Sequence, residues 1–530
     1  MKEISRRIER GETALGIEFG STRIKAVLID STHSPIATGA HQWENRLENG
    51  VWTYRQQDIL SGLQSAYAAL KRAVLEQYGV PLRRLGCIGV SAMMHGYLPF
   101  DREGRQLTAF RTWRNRMTEP AATRLTELFQ FHIPQRWTIA HLYQAILNGE
   151  EHVPQIDFLT TLEGYVHWLL SGCRVIGVGE GAGIVPTDPS VNDYDQRMMD
   201  RFEKLIEPYH FPWKLRQILP KVLTAGEDAG SLTEEGARLL DPDGDLLPGA
   251  SLCPPEGDAG TGMVATGSIR PRMGNVSAGT SIFSMVVLEK PLSRVYPEID
   301  LVATPTGHPV AMVHCSNCSS DLNAWIGLLK EALEALGQSC ETGQLYAALF
   351  HQAMLGDKDC GGLVNVGYFS GENITRLEEG RPLIVRTPEA RLTFANFGRA
   401  LLSSAMATLK IGMRLLEDEQ VQIDTLIGHG GLFKTPKTAQ SLLASALNRP
   451  ISVLENAGEG GAWGMSLLAA YRIWRKENEC LEDYLDQSVF AHVRQTTELP
   501  QAEDRDAFET YLKRFQSALD IEREAVRRLS

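Results

Sequence analysis

Residues 254–285 read PPEGDAGTGMVATGSIRPRMGNVSAGTSIFSM. The stretch offers one carboxylate, Asp258, among glycines, and then a second turn of small residues, Ser277-Ala278-Gly279-Thr280-Ser281. An acidic side chain on a glycine-rich loop can lie close to a substrate, because no side chains block the approach. A Gly-Thr-Ser turn between apolar runs presents backbone N–H groups and hydroxyls to an anion, commonly a phosphate. A base and a phosphate cradle are two of the parts that phosphoryl transfer to a hydroxyl requires. Taken alone, a glycine-rich stretch with one Asp is more often a plain turn.

The start of the chain echoes the second turn. Gly16-Ile17-Glu18-Phe19-Gly20-Ser21-Thr22 leads into Ile24–Ile29, as Gly274–Ser281 leads into Ile282–Val287. Both read as strand, tight Gly-Ser/Thr turn, strand. A hairpin repeated at the head of each half points to two related α/β domains facing one cleft, each with a phosphate loop.

A length of 530 residues exceeds one ordinary core and suits two domains with a helical tail. The expected division is 1–249, 250–475 and a charged helical tail, 476–530, with no chemistry of its own. A net charge of −12 argues against general binding of nucleic acid or anionic membrane. Among the eight cysteines only Cys315 and Cys318 form a CxxC, after His314. No second pair completes a metal site, so a structural role is expected. The polar start MKEISRRIERGET has no apolar signal core, and no run is long enough to span a bilayer. A cytoplasmic protein with reduced thiols is the expectation.

Between the two turns, Asp58 is expected to cap a helix with Ile59, Leu63, Ala66, Leu70 and Val74 on its apolar face. A buried strand, Leu85–Val90, runs into Ser91-Ala92-Met93-Met94-His95-Gly96, and polar groups past such a strand end are where open α/β sheets place ligands. Thr112-Trp113-Arg114-Asn115-Arg116 suits sugar hydroxyls or a helix start equally. The glycine-rich run Val178–Gly183 reads as a connection lining the cleft. Late in the chain, Thr425-Leu426-Ile427 meets Gly428-His429-Gly430-Gly431 before a helix from Pro436 to Leu447, and Gly458-Glu459-Gly460-Gly461-Ala462-Trp463-Gly464 opens another.

In this order the parts resemble the FGGY family of carbohydrate kinases, within the actin-like and sugar-kinase ATPase superfamily. The likeness runs from Gly16 to about Ile473. GIEFGSTRIKAVLID resembles the first phosphate motif, IGVSAMMHG the sugar-pocket strand, EGDAGTGMVATGSI the catalytic-aspartate motif and SAGTS the second phosphate motif. GYFSGEN is similar to a Y-L-S-G-E-R segment, and IGHGG and GEGGAWGMSLLAA to the adenosine-binding glycine motifs. Each motif is loose; seven in the right order are specific.

The resemblance implies two ribonuclease H-like domains around a central cleft and the cofactors ATP and Mg²⁺. It implies Asp258 as the general base and Gly20, Ser21, Thr22, Gly279 and Thr280 around the phosphates. Gly430 and Gly431 would lie against adenine, Met94 and His95 would touch the ketose, and Trp113 and Arg114 would lie on another sugar-facing loop. Glu18 stands where the family usually has a metal-positioning Asp, and His141-Leu142-Tyr143-Gln144 replaces a Lys and Trp motif. The first half is nearer to xylulokinases, and GGLFKTPKTAQSLLASALNRPI nearer to ribulokinases. The implied activity is ATP-dependent phosphorylation of a ketose, a pentulose such as xylulose or ribulose foremost, at a terminal hydroxyl. The alternative is a catalytically weak sugar-binding ATPase homologue acting as a sensor. The partners implied are the sugar and ATP, with a homodimer among the assemblies left open.

Overall fold

The computed structural model describes residues 2–435, 437–455 and 460–529. Pro436, Gly458 and Glu459 of the expected motifs lie outside them. Strands β1 (Ala14–Phe19), β2 (Arg23–Ile29) and β3 (Pro35–Gln42) form an antiparallel meander, with Gly16 opposite Val27. The exposed residues of β3 alternate with buried ones, as expected of an edge strand with one face on the core. Helix α1 (Gln56–Tyr78) stops at Gly79, whose φ of 69° suits glycine and whose N–H returns to the Leu75 carbonyl. Asp58 sits in its first turn, and Arg55, not Asp58, precedes the helix.

Strand β4 (Cys87–Ala92) is buried along its whole length and runs parallel to β1, with Ile17 opposite Val90 and Glu18 opposite Ser91. A run apolar on both faces is what a central parallel strand requires. Next come α2 (Thr138–Leu147), α3 (Leu162–Ser171) and α4 (Val178–Ile184). The glycine-rich run is therefore a buried helix and not a connection. Strands β5 (Ser251–Leu252) and β6 (Glu256–Gly257) both pair parallel to β4, and α5 (Asp258–Thr266) starts directly from β6. The sheet order is β5–β4–β1–β2–β3, with β6 beside β4.

The second sheet repeats the plan. Its hairpin is β7 (Met273–Ala278) and β8 (Ile282–Val287), followed by β9 (Ile299–Ala303), β10 (Pro309–Cys315), α6 (Ser319–Ala335) and α7 (Phe394–Asp418). Then come β11 (Thr425–His429), α8 (Thr438–Leu447) and β12 (Ile451–Leu454). The chain closes with α9 (Gly461–Trp474), β13 (Gln495–Glu498) and α10 (Ala502–Arg528). The order is β9–β10–β8–β7–β11–β12–β13. In each sheet the first hairpin strand is antiparallel to its partner on one side and parallel to a later strand on the other.

The chain divides into two compact units. One comprises Met1–Ile269, Leu301–Val310 and Glu459–His492; the other comprises Arg270–Asp300, Ala311–Gly458 and Val493–Ser530. The first unit thus continues twenty residues past the expected boundary at Gly249 and holds Asp258, because β6 is hydrogen-bonded into its sheet. The tail is also more than a solvated cap. Its strand β13 pairs with β12, and Phe508, Tyr511, Leu512 and Phe515 of α10 are buried.

Candidate active site

Asp258 is the first residue of α5, so its carboxylate sits at a strand-to-helix junction and not on a loop. Its Oδ1 accepts the N–H of Met94, at 3.1 Å, from the turn after β4. The side chain is exposed to solvent, but the protein crowding it raises its pKa, against the pull of the Met94 and Ala259 N–H groups. A carboxylate that is reachable and more basic than usual suits proton abstraction.

Glu18, on β1, reaches the start of α9, where its Oε2 accepts the Ala462 N–H at 3.2 Å. A Cβ at Gly461 would stand 2.1 Å from the other Glu18 oxygen, so only glycine leaves it room. Desolvation first, and then the negative charge of Asp258, raise the Glu18 pKa to about 7. GEGG, expected against adenosine, is thus described only at Gly460 and Gly461, and there it serves Glu18.

The Gly20-Ser21-Thr22 turn is held from behind. Trp43 Nε1 donates to the Gly20 carbonyl at 2.7 Å, and the Tyr54 hydroxyl to the Ser21 carbonyl at 2.6 Å. The two rings stack at 4.0 Å. With those carbonyls engaged, Gly20 and Thr22 line an open cleft of about 600 Å³ together with Glu18, Arg23 and Lys25. Trp43 and Tyr54 carry no motif signal; only the fold brings them to the turn.

His95 is buried with a φ of 71°, strained for a residue other than glycine. Its N–H donates to Glu180 of α4 at 2.9 Å, and its ring stacks on Trp137 at 6.0 Å. Trp113 and Arg114 are exposed, with the Arg114 guanidinium 3.7 Å from the centre of the Trp52 ring. Among the described residues no hydrogen bond or ion pair joins them to Asp258 or Met94.

In the second unit, the start of α6 holds the Ser277–Ser281 turn. Cys318 N–H donates to the Thr280 carbonyl at 3.0 Å and Ser319 N–H to the Gly279 carbonyl at 3.2 Å. That gives the CxxC segment a structural task; Cys315 and Cys318 are both free thiols. Asn317 binds the N–H groups of Phe369 and Ser370, and its amide meets Glu372, so GYFSGEN is tied to the same corner. Gly430, with φ 98°, lies where a Cβ would be 2.6 Å from the Ala278 carbonyl, and Gly431 follows. Gly279, Thr280, Gly430 and Gly431 are therefore brought together at the ends of the paired strands β7 and β11. Gly430→Ala should separate those strand ends and weaken ATP binding without changing sugar affinity; calorimetry with each ligand checks this.

Beneath His95 lie three carboxyl groups, Glu163, Glu180 and Glu256, all at most 1 % exposed. Burial raises Glu163 to about 7 and Glu256 to about 8. Burial likewise raises Glu372 to about 7. In the unfolded chain these groups ionise near 4.3. The native protein therefore binds more protons between about pH 4 and 8, and stability falls as pH rises through that window. The melting temperature should be higher at pH 5.5 than at pH 8.5; equal values would mean that the buried acids are ionised throughout.

The model of the FGGY carbohydrate kinase N-terminal domain matches residues 13–241 and that of the C-terminal domain residues 274–473. The chain is 24% identical over 520 residues to a xylulose kinase of Haemophilus influenzae, covering 94% of this chain and 98% of that one. Its fold matches the crystal structures of a gluconate kinase from Lactobacillus acidophilus and a xylulose kinase from Rhodospirillum rubrum. The first has a TM-score of 0.78 at 15% identity, over 96% of this chain and 98% of that one. The second has a TM-score of 0.77 at 17% identity, over 97% and 100%. The two ribonuclease H-like sheets are thus those of the actin-like sugar-kinase fold. No helix among the described residues is long and apolar enough to cross a membrane. Two domain models, matched in the order in which the two sheets follow each other, lead to one conclusion: the chain belongs to the FGGY family of carbohydrate kinases and is an ATP-dependent sugar kinase.

Proposed function

We propose that this kinase phosphorylates a ketose at a terminal hydroxyl, a pentulose such as xylulose or ribulose, with Asp258 as the general base. The observation that carries the reading is the Asp258 carboxylate, exposed and of raised basicity, joined to the Met94–His95 turn by the Met94 N–H. The sugar hydroxyl would give its proton to Asp258 as its oxygen attacks the γ-phosphorus, and ADP would leave. Gly20, Ser21 and Thr22 would hold phosphate oxygens in the first unit. Gly279 and Thr280 would do so in the second, with Gly430 and Gly431 against adenine. The xylulose kinase relative supports a pentulose, and the Met94-His95-Gly96 turn supports the same choice.

Glu18 fits a magnesium ion that arrives with the nucleotide. Its carboxylate and that of Asp258 burden one another with negative charge, and a cation would relieve it. Among the described residues no three His, Cys, Asp or Glu side chains converge as a metal cage. Mg²⁺ is commonly held by one or two carboxylates plus substrate phosphates, and when bound it neutralises phosphate charge during transfer. Glu18→Gln should raise the Mg²⁺ requirement and lower turnover without changing sugar preference. It should also remove a loss of Mg²⁺–ATP affinity as the wild type is acidified through pH 7. A changed sugar preference with unaltered metal dependence would move Glu18 to the sugar pocket.

Coupled measurement of ADP release tests the substrate assignment across xylulose, ribulose, other ketoses, gluconate and glycerol. The highest kcat/KM is expected for a pentulose. A preference for gluconate or glycerol would overturn the pentulose assignment, and no stimulation by any of them the ketose-kinase reading.

A further inference from the structure

Helix α4 is buried from end to end, and its first-turn acid, Glu180, is oriented toward the sugar-site turn. Glu256, one residue before the Gly257–Asp258 junction, accepts the N–H groups of Gly179 at 3.2 Å and Glu180 at 3.0 Å, fixing the helix in place. Glu180 Oε1 accepts the His95 N–H at 2.9 Å. Glu180 Oε2 lies against the backbone of Gly257, where a Cβ would be 2.4 Å from it. Glu163 on α3 takes the Thr161 hydroxyl with its Oε1, and the remaining oxygens, Glu163 Oε2 and Glu180 Oε2, are both buried with no other hydrogen-bond partner among the described residues, the two carboxyl groups lying against one another. One side chain thus touches the sugar-site turn, the junction that carries Asp258 and a second acid.

Two carboxyl groups can hydrogen-bond to each other only if one of them carries a proton. Among the described residues no Lys or Arg forms a hydrogen bond or ion pair with Glu163, Glu180 or Glu256. The other titratable groups around Glu180 are Asp258 on α5, His95 after β4, Glu256 on β6 and Tyr194. No counter-cation takes the place of the proton.

We propose that Glu163 and Glu180 share one proton, and that this pair is a positioning device that holds the sugar-site turn at His95 only while the proton is present. The role given to His95 rests on the sugar-kinase reading; the shared proton does not. The strain in His95 makes the device necessary, since a left-handed backbone persists only where its surroundings hold it. Burial raises both acids, and the charge of Glu163 raises Glu180 further, so the shared proton survives at neutral pH. The pair is protonated below its titration and fully ionised above it. Two adjoining buried anions would then repel, and Glu180 would draw away from His95.

The test measures KM for the sugar and for ATP from pH 6 to 9, with infrared detection of protonated carboxyl groups. In the wild type the sugar KM should rise about tenfold per pH unit above the pair's titration, while the ATP KM stays flat. In Glu180→Gln the amide oxygen accepts from His95 and the amide N–H donates to an ionised Glu163, a hydrogen that no pH removes. That variant should lack the alkaline rise in sugar KM, whereas Glu180→Ala should raise the sugar KM about tenfold at every pH. The wild type should show one more protonated-carboxyl band at pH 7 than Glu180→Gln. An alkaline rise that persists in Glu180→Gln, or appears equally in the ATP KM, overturns the positioning role. Absence of the extra band overturns the shared proton. If the wild type phosphorylates no sugar, the kinase reading fails, and the infrared difference, which needs no substrate, still decides the proton.

Discussion

Asp258→Asn should lower kcat by about 10²–10⁴-fold, the usual contribution of one positioned base, and leave ATP and sugar affinities close to wild type. Asparagine keeps the shape and one oxygen acceptor, so the Met94 N–H retains its partner and the turn to His95 is undisturbed. What disappears is the basicity that crowding confers on the carboxylate. The loss should fall on kcat and kcat/KM together, because the interaction is made as the hydroxyl loses its proton. Rapid-quench kinetics with affinities from calorimetry check this. A near-wild-type rate would remove Asp258 from the mechanism; a large drop in sugar affinity alone would make it a binding residue.

The second large effect comes from a glycine of α9. Helix α9 lies with its backbone directly against two elements of the first unit. A Cβ at Gly16 of β1 would stand 2.2 Å from the Ala462 carbonyl, and one at Gly464 would stand 2.0 Å from the Thr261 carbonyl of α5. Both clashes are with backbone, which cannot rotate away. These contacts set Glu18, on β1, relative to Asp258, at the head of α5. Gly464→Ala must push α5 outward, at about 1–3 kcal/mol of stability for overpacking. A shift of about 1 Å in a catalytic group can cost about 10²-fold in rate. Gly262→Ala, on α5 itself, is the control: an added Cβ there meets nothing within 4 Å, and alanine is the better helix former. Thermal melts and kcat for the two variants should diverge; equal behaviour would mean that α9 does not set the geometry.

Much of this was legible in the sequence. The two hairpins were readable because turn chemistry and strand propensity are local, and both head their sheets. Asp258, the two Gly-Ser/Thr turns and Gly430 stood out for the same reason, each occupying a position that a short motif specifies, and the roles given to them remain part of the proposal. Other features depend on contacts between distant segments. Val178–Gly183 looked like a connection because its glycines disfavour helix, yet Glu256 binds the first turn there and the glycines leave room for Glu256 and His95. The unit boundary was misplaced because β6 is two residues long, too short for a periodic signal, while its pairing with β4 ties Asp258 to the first unit. Trp43 and Tyr54 were invisible as partners of the Gly20–Thr22 turn, since their rings meet it only across the folded sheet. Glu18 in place of Asp gains a physical reason: the longer side chain reaches the Ala462 N–H at the start of α9 while facing the cleft.

The central claim is transfer of the γ-phosphoryl group to a terminal ketose hydroxyl with Asp258 taking the proton. Its most direct test is a single-turnover reaction of ATP with the preferred ketose, followed by phosphorus NMR of the product, for wild type and Asp258→Asn side by side. The account predicts one sugar monophosphate bearing phosphorus on a terminal oxygen, formed by the wild type and slowed at least about 10²-fold in the variant. Free phosphate and ADP without any sugar phosphate, or a sugar phosphate made equally fast by Asp258→Asn, would contradict it.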